Sequence, residues 1–160
     1  GASGLPFAVL RGYDGTDLPG CTANVAAVDC PFTGERLTAV AALRPDVTIV
    51  HAQRADRAGT VQLWGITGVQ KEAVLAARRS IVTVEEIVDA LDDRPGAVVL
   101  PSWVVTAVAA VPGGAAPSYA HGYSVRDNAA YAAWDGISRD RATFRQWMQT
   151  HVTGFVPSTA

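Results

Sequence analysis

Cysteine is nearly absent: Cys21 and Cys30 are the only two in 160 residues, and neither belongs to a CxxC spacing. That argues against a disulfide framework and against a thiolate zinc site. An excess of one charge is missing too, since 13 Lys and Arg against 15 Asp and Glu leave a formal net charge of −2. Nothing in that balance favours nucleic acid or an anionic membrane as the main partner. No apolar run approaches the roughly 18 residues of a membrane span, and no signal-peptide pattern is present. A reducing cytoplasm is therefore the expected compartment. A serine or cysteine nucleophile in a recognisable local motif is also lacking. What remains is a chain 49% apolar and 18% charged, a composition suited to one domain with a sizeable core.

The most informative stretch is 47–89. Val47-Thr48-Ile49-Val50 is a β-branched run of the kind buried on both faces of a parallel sheet, and His51, Gln53 and Asp56 follow it. Asp56-Arg57-Ala58-Gly59 reads as a turn in which Gly59 takes positive φ and Asp56 caps with its side-chain oxygen. Thr60 to Trp64 returns as a second extended segment. Past Gly65 and Gly68, the spacing of Val69, Ala73, Ala76 and Ala77 predicts a helix. Ile81-Val82-Thr83-Val84 predicts another buried strand, and Glu85-Glu86 the start of a short helix with its carboxylates at the favourable end of the helix dipole. Strand, turn, strand, helix, strand is the rhythm of an α/β protein with a parallel sheet.

The order of residues in this stretch also resembles a known family. Pro45-Asp46-Val47, His51-Ala52-Gln53, Ala55-Asp56 with Gly59, Ala76-Ala77-Arg78 and the run Val82 to Val88 are similar to the later half of the A (alpha) subunit of class I coenzyme A transferases, most closely the glutaconate CoA-transferase branch. Matches continue through Leu5-Pro6-Phe7, the Arg11 to Leu18 stretch, Pro112-Gly113-Gly114-Ala115 and Tyr119 to Asn128. The likeness covers nearly the whole chain, and its specificity lies in the order rather than in any single motif. Thr60 departs from it, because the family usually has Asn after the turn glycine. The resemblance implies an acyl-CoA and a carboxylic acid as substrates, coenzyme A as substrate with no bound cofactor, and a B (beta) subunit as partner. It places the nucleophilic glutamate on that B subunit. It also implies roughly another hundred residues of the A subunit ahead of Gly1, so the chain reads as a C-terminal portion that starts without methionine and pairs with the N-terminal portion.

Elsewhere the residues suggest elements and contacts. Leu5 to Leu10 reads as a strand, and Arg11 to Leu18 as a loop where Arg11 either forks onto a carboxylate or phosphate or pairs with Asp14 or Asp17. Residues 21–29 are irregular, 30–34 form a second loop with the position of a lid, and 37–43 are apolar and alanine-rich. His51 reads as a structural or substrate-positioning group rather than a general base, and Gln53 as able to orient a carbonyl. Glu72, Glu85 and Glu86 read as helix or surface carboxylates, none of them the nucleophile. Ala97 to Leu100 and 103–111 read as the last strands. PGGAAP at 112–117 then opens a loop in which His121, Tyr123 and Arg126 are candidate contacts across the subunit interface and Asp127 a helix N-cap. Two helices end the chain, with Tyr131, Trp134, Phe144, Trp147 and Met148 on apolar faces.

The expectation is thus an open, mainly parallel α/β sheet flanked by helices, one CoA-transferase-like domain over 1–153 with a frayed tail at 154–160. Arg11, His51, Gln53, Tyr123 and Arg126 are its candidate substrate-binding residues. Two other readings stay open: hydrolysis of a C–C bond in a cyclic CoA thioester or decarboxylation of an acyl-CoA on the same fold, and a noncatalytic scaffold.

Overall fold

A computed structural model describes residues 2–13 and 15–154. Asp14, one expected partner of Arg11, and the tail beyond Gly154 lie outside the described residues. The chain forms two compact units, Gly1–Gly114 and Ala115–Ala160.

The first unit is built on a ten-residue strand, β4 (Val47–Asp56), in a five-stranded sheet. Numbering the earlier strands β1 (Phe7–Leu10), β2 (Val25–Asp29) and β3 (Arg36–Ala41), the sheet also contains β5 (Val61–Leu63), β6 (Arg79–Val88), β7 (Val98–Leu100) and β8 (Ala107–Ala110). Its order is β7-β5-β4-β6-β8. β4, β6 and β8 run parallel, while β5 and β7 are antiparallel to their neighbours, so the sheet is mixed about a parallel centre. The β4–β5 connection is the expected turn: Gly59 has φ +88°, and Asp56 Oδ1 accepts the Thr60 N–H at 2.9 Å.

Between β5 and β6, helix α2 (Gln70–Ala76) crosses one face of the sheet, following the short α1 (Leu18–Cys21) earlier in the chain. Val74 of α2 is 2% exposed and packs with Val50, Ala52, Val82 and Val84, and the Thr48 hydroxyl donates to Ala73 O at 3.0 Å. Burying each such aliphatic side chain is worth about 1.5–3 kcal/mol. The opposite face corrects an expectation. Val47 and Ile49 are 48% and 70% exposed, so this strand start is buried on one face only.

The helix expected at Glu85-Glu86 does not form. β6 runs on to Val88, because its β-branched run continues through Ile87 and both carboxylates find partners across the sheet. The long last strand is also shorter than expected: a 3-10 turn at Ser102–Val104 precedes β8.

β1, β3 and β2 form a separate antiparallel sheet that the sequence did not suggest. Residues 30–34, read as a lid, are its β2–β3 hairpin turn. Gly34 has φ +70°, and its N–H donates to Cys30 O at 2.9 Å.

In the second unit, α3 (Asn128–Arg139) and α4 (Arg141–Met148) lead into a short π-helical turn at Gln149–Thr153. Asp127 caps α3 by accepting Ala130 N–H at 3.0 Å, and Asp140 caps α4 through Thr143. Trp134 meets Phe144 and Trp147 edge to face. No helix among the described residues is long and apolar enough to cross a membrane.

Candidate functional site

The parallel register of β4 and β6 sets His51 beside Thr83, and the two-residue period of a strand puts Glu85 next on the same side. His51 Nδ1 lies 2.8 Å from Thr83 Oγ1, and Nε2 lies 3.0 Å from Glu85 Oε1. The second carboxylate oxygen accepts the Gly113 N–H at 2.7 Å. The side chains of His51 and Glu85 are 16% and 4% exposed. Three elements thus converge on one carboxylate: β4, β6 and the corner after β8. Gly114 completes the fit, for a Cβ there would stand 3.0 Å from the His51 ring and 2.9 Å from Val111 O. Both ring nitrogens are engaged, Nδ1 by Thr83 and Nε2 by Glu85. The arrangement positions the imidazole and the Pro112-Gly113-Gly114 corner together.

Gln53, two residues along β4, has a different task. Its amide nitrogen donates to Trp64 O at 3.0 Å, and its oxygen accepts Trp64 N–H at 3.1 Å. The side chain stands in for a strand neighbour where β5 turns away. The Trp64 ring in turn carries the Arg94 guanidinium 4.0 Å above it, with Arg54 at 5.9 Å. Arg54 also bonds Glu86 at 3.1 Å and lies 3.5 Å from Asp92.

Arg11 follows β1 in the small sheet. Its fork grips Glu35 of the hairpin turn through two bonds of 2.8 Å. The side-chain bond to Arg11 holds the Glu35 carboxyl below its ordinary value, and the same bond raises the Arg11 guanidinium. Among the described residues the partner is thus Glu35 rather than Asp17. In the second unit, Arg126 stacks 4.1 Å over the Tyr131 ring, and the Tyr123 N–H donates to Ala120 O at 2.9 Å.

Of the expected site residues, then, His51 and Gln53 share one strand, Arg11 belongs to the small sheet, and Tyr123 and Arg126 to the second unit. Thr83, Glu85 and Gly113 were missed. The signal for them was present: reading the run from Ile81 to Val88 as one strand places Thr83 and Glu85 on the face of His51. Among the described residues, no group of three His, Cys, Asp or Glu side chains is arranged to hold a metal ion.

A family model described as Coenzyme A transferase matches residues 1–110. The chain belongs to the coenzyme A transferase family. Within it, the sequence is of the A-subunit kind. It is 62% identical over 154 residues to the A subunit of 3-oxoadipate CoA-transferase from Pseudomonas knackmussii, covering 96% of this chain and 55% of that protein. Its fold superimposes on glutaconate coenzyme A-transferase from Acidaminococcus fermentans with a TM-score of 0.84 at 29% identity, covering 96% of this chain and 54% of the other. A variant of the decarboxylase AibA/AibB gives a TM-score of 0.77 at 29% identity, over 95% and 55% of the two chains. The chain spans about half the length of the curated relatives it matches.

Proposed function

We propose that this chain serves as part of the A subunit of a CoA transferase, moving coenzyme A from an acyl-CoA to a carboxylic acid together with a B subunit and the remainder of the A subunit. The observation that carries the reading is the 62% identity to the A subunit of a CoA transferase along nearly the whole chain. The acceptor is a dicarboxylic acid, the class named for that relative and for the glutaconate enzyme. Residues 1–153, both units included, act as one CoA-transferase-like domain. The free thiols of Cys21 and Cys30 suit a reducing cytoplasm.

In such a reaction a glutamate carboxylate attacks the thioester carbonyl and forms an acyl-glutamyl anhydride with release of CoA thiolate. The thiolate attacks the glutamyl carbonyl, leaving a glutamyl thioester and the free acid; the acceptor acid then reverses the sequence. Both oxygens of Glu85 are engaged by His51 and Gly113, and Glu86 is held by Arg54, which supports a nucleophile supplied by the B subunit. This chain forms a wall that excludes water from the anhydride and thioester. His51 and Gln53 hold that wall in place, and Arg11, Tyr123 and Arg126 provide polar and cationic contacts for the CoA or for the distal carboxylate of the acid. Arg11 reaches a substrate anion by exchanging Glu35 for it.

Borohydride added to the assembled subunits with acyl-CoA tests the reading. The expected result is a reduced glutamyl thioester on the B subunit. CoA turnover without trapping selects acyl-CoA decarboxylation or C–C hydrolysis instead, the former favoured by the likeness to the decarboxylase. Absence of CoA binding leaves only a scaffold.

A further inference from the structure

The Arg11–Glu35 pair borders a cavity of about 350 Å³ in the small sheet, whose lining includes Gly12, Tyr13, Arg36 and Thr38. Its walls carry two guanidinium groups and one carboxylate. That carboxylate already fills the Arg11 fork, with a bond of 2.8 Å to each oxygen. The fork therefore has the bidentate geometry that selects a carboxylate, and Glu35 marks where such a group sits. Arg36 stands opposite Asp29 in the β2–β3 ladder, yet no ion pair engages it among the described residues.

The backbone beneath the fork is fixed at several points. The hydroxyl of buried Thr38 donates to Gly12 O at 2.6 Å, and the Thr16 N–H and hydroxyl both donate to Tyr13 O, at 3.1 and 2.7 Å. Tyr13 has φ +64°, and among the described residues no other non-glycine residue has a positive φ. A bulky side chain persists there only where its surroundings over-determine it, and such residues gather at ligand sites. Glu35 is held differently. Apart from the Arg11 contact its bonds are those of its backbone: its carbonyl accepts the Cys30 N–H at 2.8 Å, and its N–H donates to the Thr33 hydroxyl at 3.3 Å. The side chains of Arg11 and Glu35 are 79% and 40% exposed, so swinging the carboxylate out into water buries no charge and costs little. The cavity then has two cations and no anion between them.

We infer that Glu35 is a specificity-determining residue, a placeholder in the Arg11 fork that the far carboxylate of a dicarboxylic acid displaces. A monocarboxylic acid has only its reacting carboxylate, so it leaves the pair closed. The inference rests on the transferase reading above and deepens it by assigning the second carboxylate of the acid, and not the phosphates of coenzyme A, to this cavity. Arg36 adds attraction for the dianion. The acids named for two relatives, 3-oxoadipate and glutaconate, both carry that second carboxylate.

Calorimetric titration of the assembled subunits with adipate and with hexanoate, acids of equal length that differ in the second carboxylate, tests this without turnover. Arg11→Gln should weaken adipate binding about 10- to 100-fold, the worth of a charged bidentate contact. Glu35→Gln removes the competitor and should tighten adipate about two- to fivefold. The affinities for hexanoate and for coenzyme A should stay put in both variants. The inference is overturned if Arg11→Gln weakens hexanoate or coenzyme A as much as adipate. It is overturned equally if Glu35→Gln leaves adipate unchanged or weakens it, or if the unsubstituted subunits bind adipate no better than hexanoate. Adipate binding that follows Arg11 and Glu35 without thioester trapping sinks only the transferase reading, and trapping with adipate binding indifferent to both residues sinks only this one.

Discussion

The two sheets of the first unit have similar backbone bonding and opposite interiors. In the five-stranded sheet, Ala55, Val61, Val82 and Val84 are fully buried, and Leu63 and Leu100 are 1% exposed. In the β1-β3-β2 sheet only Thr38 is buried, while Phe7 and Val9 are 44% and 48% exposed. The difference is a matter of layers. α2 covers one face of the large sheet and closes a core, whereas three short antiparallel strands have a ladder of hydrogen bonds but too little apolar area to enclose. The large sheet thus supplies the stability, and the small one presents residues such as Arg11 from a scaffold that contributes little of its own.

The sharpest way to break that contrast is Glu85→Ala. It strips His51 and Gly113 N–H of their shared partner at a buried point, and with about 1–3 kcal/mol for each group left unsatisfied a loss of about 2–6 kcal/mol in urea unfolding is expected. A loss under about 1 kcal/mol would show that water replaces the carboxylate easily. Next comes Leu63→Ala, expected to cost about 2–5 kcal/mol as a core cavity, against less than about 1 kcal/mol for Val9→Ala in the small sheet. Equal costs in the same denaturation assay would erase the distinction. Gln53→Ala leaves both backbone groups of Trp64 without their partner and should cost about 1–3 kcal/mol, with a red-shifted tryptophan emission as the ring loosens.

The smallest effect concerns acid and is confined to the small sheet. The carboxyl of Glu35 is held low by Arg11, so the pair's contribution is full above the ordinary glutamate value and fades as pH falls through the lowered one. Arg11 is shifted upward, so its share would fade only in strong alkali. The protection factors of amides in the 30–35 hairpin, corrected for the intrinsic pH dependence of exchange, should therefore fall in acid while those of β6 do not, and Glu35→Gln should remove the dependence. Because the pair is exposed, the global unfolding midpoint should barely move.

Much of the large sheet was legible in the residues. The β-branched run at 47–50, the turn glycine at 59 and the three-and-four spacing from Val69 each point to one local structure, and Asp127 marks the start of α3. The small sheet was not, because β2 and β3 are short and alanine-rich and owe their extended form to pairing with each other rather than to propensity. Glu85 was misread for a related reason. Two glutamates after a strand have the composition of a helix start, and only the β6 pairing with β4 turns the first of them inward.

On its own, then, the chain's order of residues determined its family, its α/β class and the strands and helices whose side-chain period is strong, because those depend on neighbours a few positions apart. The tertiary structure alone decided that Glu85 meets His51 and Gly113, that Arg11 grips Glu35, and that β4 leaves half of one edge and one apolar face uncovered. Each of these joins residues more than twenty positions apart or depends on which strand lies beside which, and no local pattern carries that information.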